Sequence, residues 1–380
     1  MKEGWSYKKL GEVCEVISGQ SPEGKFYNTE GQGTPFYQGK KEFSSKYIGN
    51  PTTWTTVETK IAEKDDLLMS VRAPVGDINF ATQRLCIGRG LAAIRTKEDI
   101  DKEYLFYFLV AQKSCIKGKE GVGFASINRK EIMDIDVQYP KDFSEQRSIV
   151  TRLDAAFFHI DALKANAEKQ LNEARKLFQA ELTECMKPKE GWEEKRIKEV
   201  GEVIGGTTPS TSNPQFWDGD VCWMSPAELH GEHYLYDSVK KITTEAVEAK
   251  SLKELPIGTV ILSSRAPIGK IAINKVPMYC NQGFKCVVCK SELYNEYLYW
   301  WFYGKKEYLN SLGTGATFLE ISKTVVENII IPIPPLDTQQ AIVSHLDSLS
   351  STIRKLEELQ QKTIAECDAL KQAMLREVFE

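Results

Sequence analysis

Few residues of this 380-residue chain are of the types that do chemistry. His230-Gly-Glu-His233 offers two imidazoles, and Cys286-x-x-Cys289 offers two thiols. Each could be half of a metal site. The cysteines fall in the apolar run Phe284-Lys-Cys-Val-Val-Cys, which reads as a strand. On a strand, positions i and i+3 face opposite sides, so the pair is expected to be buried structural thiols. Gly121-x-Gly123 and Gly313-x-Gly315 read as turns, whose free N–H groups can meet a phosphate. The chain has no G-x-x-x-x-G-K-[ST] phosphate loop, no G-x-G-x-x-G opening and no Asn-Pro-Pro-aromatic or Asp-Pro-Pro-aromatic tetrapeptide. Neither a catalytic residue nor a metal site is expected.

The cations are more informative. Residues 78–97 contain no Asp or Glu but hold Arg84, Arg89, Arg95 and Lys97. Residues 255–290 are also acid-free, with Arg265, Lys270, Lys275, Lys285 and Lys290. A third group, Lys113, Lys117, Lys119, Arg129 and Lys130, surrounds the Gly121 turn. Cations without neighbouring acids suit phosphate neutralisation. Ordinary solvated surface is the plainer reading. The overall formal charge of -4 gives no sign of these windows.

The elements that carry these residues come in duplicate. Gly4–Pro22 reads GWSYKKLGEVCEVISGQSP and Gly191–Pro209 reads GWEEKRIKEVGEVIGGTTP. Arg72-Ala-Pro-Val-Gly76 matches Arg265-Ala-Pro-Ile-Gly269, Tyr104-Leu105 matches Tyr297-Leu298, and Gln146…Ile149-Val150…Leu153-Asp154 matches Gln339…Ile342-Val343…Leu346-Asp347. The chain is two copies of one unit. Each copy opens with a mixed α+β segment, 1–140 and 188–335. Short apolar runs there read as strands (Leu67–Val71, Leu91–Ile94, Ile132–Val137, Val260–Ser263, Cys286–Val288, Ile329–Ile333), with helical pieces at Glu103–Ala111 and Glu296–Tyr303.

Each copy then closes with a long helix, 141–187 and 336–380. Asp337-Thr-Gln-Gln340 has the form of a capping box, and Ser144 is a weaker cap in the first copy. Apolar residues recur at a period near 3.5: Ile149, Leu153, Ile160, Leu163 and Leu177 in one, Ile342, Leu346, Leu349, Ile353, Leu356 and Leu370 in the other. That is the coiled-coil value. Two equal stripes in one chain predict that the helices pack on each other, with Gln170 and Thr363 as polar breaks.

Composition narrows the class. Apolar runs of eight residues or fewer exclude a membrane helix. Met1-Lys-Glu-Gly-Trp5 has no signal-peptide core, and nine scattered cysteines suit a reducing cytoplasm.

The second copy reads Gly205-Gly-Thr-Thr-Pro-Ser210…Asn213-Pro-x-Phe-Trp217-x-Gly-Asp-x-x-Trp223, then Ser264-Arg-Ala-Pro-Ile-Gly269, then Ile331-Pro-Ile-Pro-Pro-Leu336…Gln339-Gln-x-Ile-Val343. Over essentially its whole length the chain resembles the specificity subunit of type I restriction–modification systems. The first copy lacks the Asn-Pro-x-aromatic-Trp stretch, and Tyr139-Pro-Lys141 replaces Pro-Pro-Leu.

The resemblance implies two target-recognition domains separated by two long helices in an antiparallel coiled coil. Each domain would read one half of a bipartite site on double-stranded DNA. The helices would set the gap and dock two modification subunits, and restriction subunits would join them. S-adenosylmethionine, ATP and Mg would belong to those partners, and none to this chain. Base-reading candidates are Gln38, Lys40 and Lys41 in the first copy and Ser225, Asn281 and Gln282 in the second, because such side chains reach base edges. Arg72 and Arg265 are phosphate-contact candidates, with bracing of the fold as the alternative. Arg84, Arg89, Lys117, Lys119, Arg129, Thr207, Thr208, Lys270 and Lys275 complete the DNA-contact set. Trp223 reads as core. Two other readings stand beside this one: a sequence-reading subunit of a different restriction–modification layout, and a coiled-coil scaffold that never touches DNA.

Overall fold

The computed structural model describes residues 3–116, 125–315 and 319–380. It divides into two compact units, residues 1–168 with 361–380, and residues 169–360.

In the first unit an antiparallel sheet runs in the order Cys14–Ser18, Leu91–Thr96, Leu67–Ser70, Ile78–Phe80. Leu67, Leu68, Met69 and Ile94 are fully buried, as continuous apolar runs must be when both sheet faces are covered. A second sheet of short strands (Tyr27–Asn28, Trp54–Thr55, Thr34–Tyr37, Leu85–Ile87, Ile61–Ala62) lies beside it. A two-stranded ribbon pairs Trp5–Lys9 with Asp136–Pro140. The helix Lys102–Ala111 is buried from Tyr104 to Leu109, and Asp101 caps it by accepting from the Glu103 and Tyr104 N–H groups.

The second unit repeats this plan. Gly201–Gly205, Phe284–Cys289, Val260–Ser263 and Ile271–Asn274 lie in the same order, extended by Tyr234–Leu235. Glu193–Arg196 pairs with Ile330–Ile333, and the helix Asn295–Gly304 is buried from Glu296 to Phe302. The accessory sheet differs: it has three strands, Lys241–Ile242, Trp217–Met224 and Tyr279–Cys280.

One expected strand is partly helix. Residues 129–133 form a turn of helix before the strand Asp136–Pro140, because Asn128 accepts from the Glu131 N–H and Glu131 returns the bond. That capping box outweighs the apolar run.

The long helices span Phe143–Cys185 and Leu336–Phe379, each roughly 65 Å at ~1.5 Å per residue. Their starts differ from expectation. Asp142, not Ser144, caps the first, accepting from the Ser144 N–H at 2.8 Å and from its Oγ at 2.6 Å. The Asp337–Gln340 box does not cap the second, because that helix already starts at Leu336 and Asp337 lies within its first turn. Gln339 has another part. Its amide is fully buried and ties the helix to the domain, accepting from the Tyr294 N–H and donating to the Glu292 and Pro334 carbonyls. Gln146 does the same in the first unit with Asp101, Asp99 and Pro140.

Within each unit the helix segments pack antiparallel. In the first, Lys164 pairs with Asp368 and Lys371 with Asp161. In the second, Gln360 donates to Gln170 at 2.9 Å, Arg175 pairs with Glu357, and His345 with Glu181. Partner numbers fall as their counterparts rise, the mark of antiparallel register.

Leu153, Ile160, Ala167, Leu171 and Leu182 are buried along the first helix. Ile149 and Leu153 join the first domain's core, and Leu346, with half-buried Ile342, joins the second's. Leu349, Ile353 and Leu356 are half-buried. Three expected seam residues are not in the seam: Leu163 is 58% exposed, Leu177 72% and Leu370 51%. Each is displaced by its neighbour. Phe178 packs edge-on against Trp300, and the stems of Lys164 and Lys371 occupy the positions beside Leu163 and Leu370. Gln170 is a polar break in the helix pair, where its amide oxygen accepts from Gln360.

No helix among the described residues is long and apolar enough to cross a membrane.

Candidate nucleic-acid interface

In each unit one sheet edge gathers the turns that carry the candidate residues. In the first, the Gly90 N–H donates to the Gln38 carbonyl, the Val71 N–H to the Gly90 carbonyl, and the Gln20 N–H to the Ile87 carbonyl. In the second, the Asn281 N–H donates to the Met224 carbonyl, the Ser264 N–H to the Gly283 carbonyl, and the Thr207 N–H to the Cys280 carbonyl. Gly19 and Gly206, at equivalent positions, allow this convergence. A Cβ on either would lie 2.1 Å from a carbonyl oxygen, of Gly88 or Asn281.

The Arg-Ala-Pro-x-Gly turn is built identically in both units. Ser70 Oγ donates to the Pro74 carbonyl and accepts from the Asp77 N–H, both at 2.9 Å. Ser263 Oγ donates to Pro267 at 2.9 Å and accepts from Lys270 at 2.8 Å. Both X-Pro bonds, Ala73-Pro74 and Ala266-Pro267, are cis, and Gly76 and Gly269 both take φ of 88°. The construction leaves Arg72 and Arg265 exposed at the turn.

The two arginines then differ. Arg265 Nε donates to Glu320 Oε2 at 2.9 Å, and buried Lys285 reaches the other oxygen of Glu320 at 3.3 Å. Burial opposes ionisation of Glu320, but the hydrogen bonds and charges of Arg265 and Lys285 outweigh it and hold the carboxyl below its ordinary range. In the first unit Ser126 bridges Arg72 where Glu320 bridges Arg265. Arg72 has no side-chain partner among the described residues. The Arg265 guanidinium is thus engaged by a carboxylate of its own domain.

Several other expected contacts are engaged by acids or carbonyls. Lys40 pairs with Asp77, which also takes Lys113. Arg84 pairs with Glu58 at 2.7 Å and Glu63 at 2.5 Å. Arg129 donates to the Val16 carbonyl, and Lys270 to those of Pro226 and Leu229. Lys275 lies 4.0 Å over the Tyr234 ring and pairs with Glu296. The acid-free windows are acid-free only along the chain: Glu58, Glu63, Glu296 and Glu320 meet them through the fold. Lys41, Arg72 and Arg89 remain as exposed cations without side-chain partners among the described residues. Lys117, Lys119 and the Gly121 turn lie outside those residues.

The polar candidates sort similarly. Ser225 is committed to a capping box with Glu228. Asn281 accepts from the Gly283 N–H and shapes its own turn. Gln38 and Gln282 are exposed, and each accepts through Oε1 from a hydroxyl, Ser21 Oγ at 3.0 Å or Thr208 Oγ1 at 2.5 Å. Their amide NH2 groups have no partner among the described residues, so each remains available as a donor. Thr207 is exposed beside this pair, and its carbonyl accepts from Trp223 Nε1. Trp223 is core, set edge-on to Trp217. Ser21, Ser126 and Glu320 escaped sequence reasoning. Only the alignment of Ser126-Ile-Asn128 with Glu320-Ile-Ser322 hints at the last two.

The members of the histidine and cysteine motifs sit in different surroundings. His233 is stacked between Tyr234 and Tyr299 and bonded to Glu296 at 2.8 Å, while His230 is exposed. Cys286 is buried beside Cys280, sulfur to sulfur 3.7 Å, and Cys289 is half-buried.

Residues 2–173 and 189–365 each match the family model described as the type I restriction modification DNA specificity domain. The chain is 39% identical over 191 residues to the type I restriction enzyme MjaIX specificity subunit of Methanocaldococcus jannaschii, covering 48% of this chain and 44% of that one. It thus spans less than half the length of that relative. It is 25% identical over 380 residues to the MjaVIII specificity subunit of the same organism, covering 92% and 87%. A chain from a structure on complex assembly and conformational transition of the type I R-M system shares the fold over 100% of this chain, with a TM-score of 0.82 and 21% identity.

Proposed function

Since the chain belongs to the type I restriction–modification DNA specificity family and holds two copies of its domain, we propose that each domain reads one half of a bipartite site on double-stranded DNA. The carrying observation is the repeated edge: in both units an identically built Arg-Ala-Pro-x-Gly turn lies next to an exposed glutamine whose amide NH2 has no partner among the described residues. Such NH2 donors suit base acceptors such as purine N7, and a nearby arginine suits phosphate. The accessory sheets differ between the units, so the two half-sites differ in sequence.

The long helices set the gap between half-sites, and their outer faces dock two modification subunits. Exposed Phe158, Leu163, Leu177 and Leu359 supply apolar anchors for that docking. The subunit transfers no group itself. S-adenosylmethionine binding and adenine methylation fall to the modification subunits, and ATP- and Mg-dependent translocation and cleavage to restriction subunits. Its place is the cytoplasm.

Mapping adenine methylation in cells that carry the chain with its modification partner tests this. Two unlike half-sites at a fixed gap, lost on deletion of the gene, are expected. A continuous site, or methylation that persists after deletion, would overturn it.

A further inference from the structure

One cluster lies apart from the sheet edge. In the second unit Glu181 and Cys185 stand one helical turn apart near the end of the first long helix, and His345 faces them from the second. His345 Nε2 is 3.0 Å from Glu181 Oε1, and Cys185 Sγ is 3.6 Å from the same oxygen. The three ligand atoms all lie within 4.8 Å of one another.

We propose that Glu181, Cys185 and His345 form a three-ligand zinc site that pins the two long helices together in the second unit. Zinc takes sulfur at ~2.3 Å and imidazole nitrogen or carboxylate oxygen at ~2.0–2.2 Å in a tetrahedron. Such a tetrahedron places its ligand atoms roughly 3.3–3.6 Å apart, close to the two spacings that already meet at Glu181 Oε1. A borderline-soft ion matches a sulfur, nitrogen and oxygen set, which a hard ion such as magnesium does not. Thiolate and carboxylate together balance the two positive charges. Binding releases one proton, from the Cys185 thiol to solvent, as the Zn–S bond forms. Glu181 and His345 are about half exposed, which leaves the fourth corner open to water.

The first unit sharpens the assignment. At the repeat offset of 193 these positions hold Met374, Val378 and Arg152. Met374 and Val378 pack against the first domain's core. The second unit has a ligating residue at all three positions, and brings their ligand atoms within 4.8 Å of one another. The site does not rest on the DNA-reading proposal and survives its failure.

The test is titration of the full, untagged chain with cobalt(II), then displacement by zinc. One cobalt per chain with a thiolate-to-metal charge-transfer band is expected, bleached by equimolar zinc and unmoved by excess magnesium. Cys185→Ser should abolish the band. His345→Ala should weaken binding at least tenfold, with the far-ultraviolet dichroism of both variants unchanged. Zinc should raise the melting temperature of the parent chain and of Cys222→Ser, but not of Cys185→Ser. An equal cobalt spectrum in Cys185→Ser or His345→Ala, or no stoichiometric binding by the parent chain, would overturn the site.

Discussion

Arg265 donates to Glu320 across 2.9 Å, and the repeat-equivalent Arg72 has Ser126 in that place. Among the described residues, one unit therefore presents a cation without a side-chain partner at the turn and the other a neutralised one. The two turns share their Ser-to-Pro and amide-to-Ser hydrogen bonds but differ in the residue that bridges the arginine.

The first prediction follows from that difference. Arg72→Ala should weaken DNA binding by the reconstituted complex at every sequence and flatten the log–log salt slope by about 1. Arg265→Ala should do so much less, because its charge is already met. Glu320→Ala, which removes the carboxylate from Arg265, should strengthen non-specific retention and steepen the slope. Binding isotherms at several salt concentrations check all three. Equal losses for Arg72→Ala and Arg265→Ala would sink the asymmetry.

Specificity should divide by unit. Gln38→Ala should relax or change the half-site read by the first domain and leave the other intact, and Gln282→Ala should do the converse. A good base contact discriminates by ~1–3 kcal/mol, so the affected half-site should lose roughly one to two orders of magnitude of preference. Methylation-site mapping of each variant shows which half-site moved. If either variant altered both half-sites equally, the glutamines would be bracing the fold instead.

Much of this architecture is legible in the residues, and the failures have physical causes. The repeat, the strand Val260–Ser263 and the buried aromatic helices follow from local pattern, because burial on both faces leaves continuous apolar runs. The seam slips by one residue at Leu177 because the stripe alone does not distinguish it from Phe178, and tertiary contact with Trp300 decides. Phe379 is missed for a related reason. It is fully buried and edge-on to Tyr104 and Phe108, a contact no local pattern carries. The cation windows mislead most, since a carboxylate 55 residues along the chain lies against Arg265.

The buried glutamines should matter for stability rather than recognition. Gln146 and Gln339 are fully buried and each satisfies a helix-start N–H and two carbonyls. Leucine in either place strands those groups, at ~1–3 kcal/mol for an unsatisfied buried partner. Calorimetry on Gln146→Leu and Gln339→Leu should show a lowered melting temperature. DNA affinity of the folded fraction should be unchanged. Unaltered melting would mean that water replaces the amide.

Acid should expose the His233–Glu296 pair. Burial opposes ionisation of Glu296, yet His233 and Lys275 outweigh it and depress its carboxyl below the ordinary 4.5. A depressed carboxyl contributes stability that is present above its unfolded value and is lost as pH falls through the folded one. The parent chain and Glu296→Gln should therefore differ most in melting temperature near neutrality. The gap should close as pH drops below about 4.5, because protonated Glu296 resembles the amide. A gap that stays constant from pH 7 to below that point would show that Glu296 contributes through packing alone.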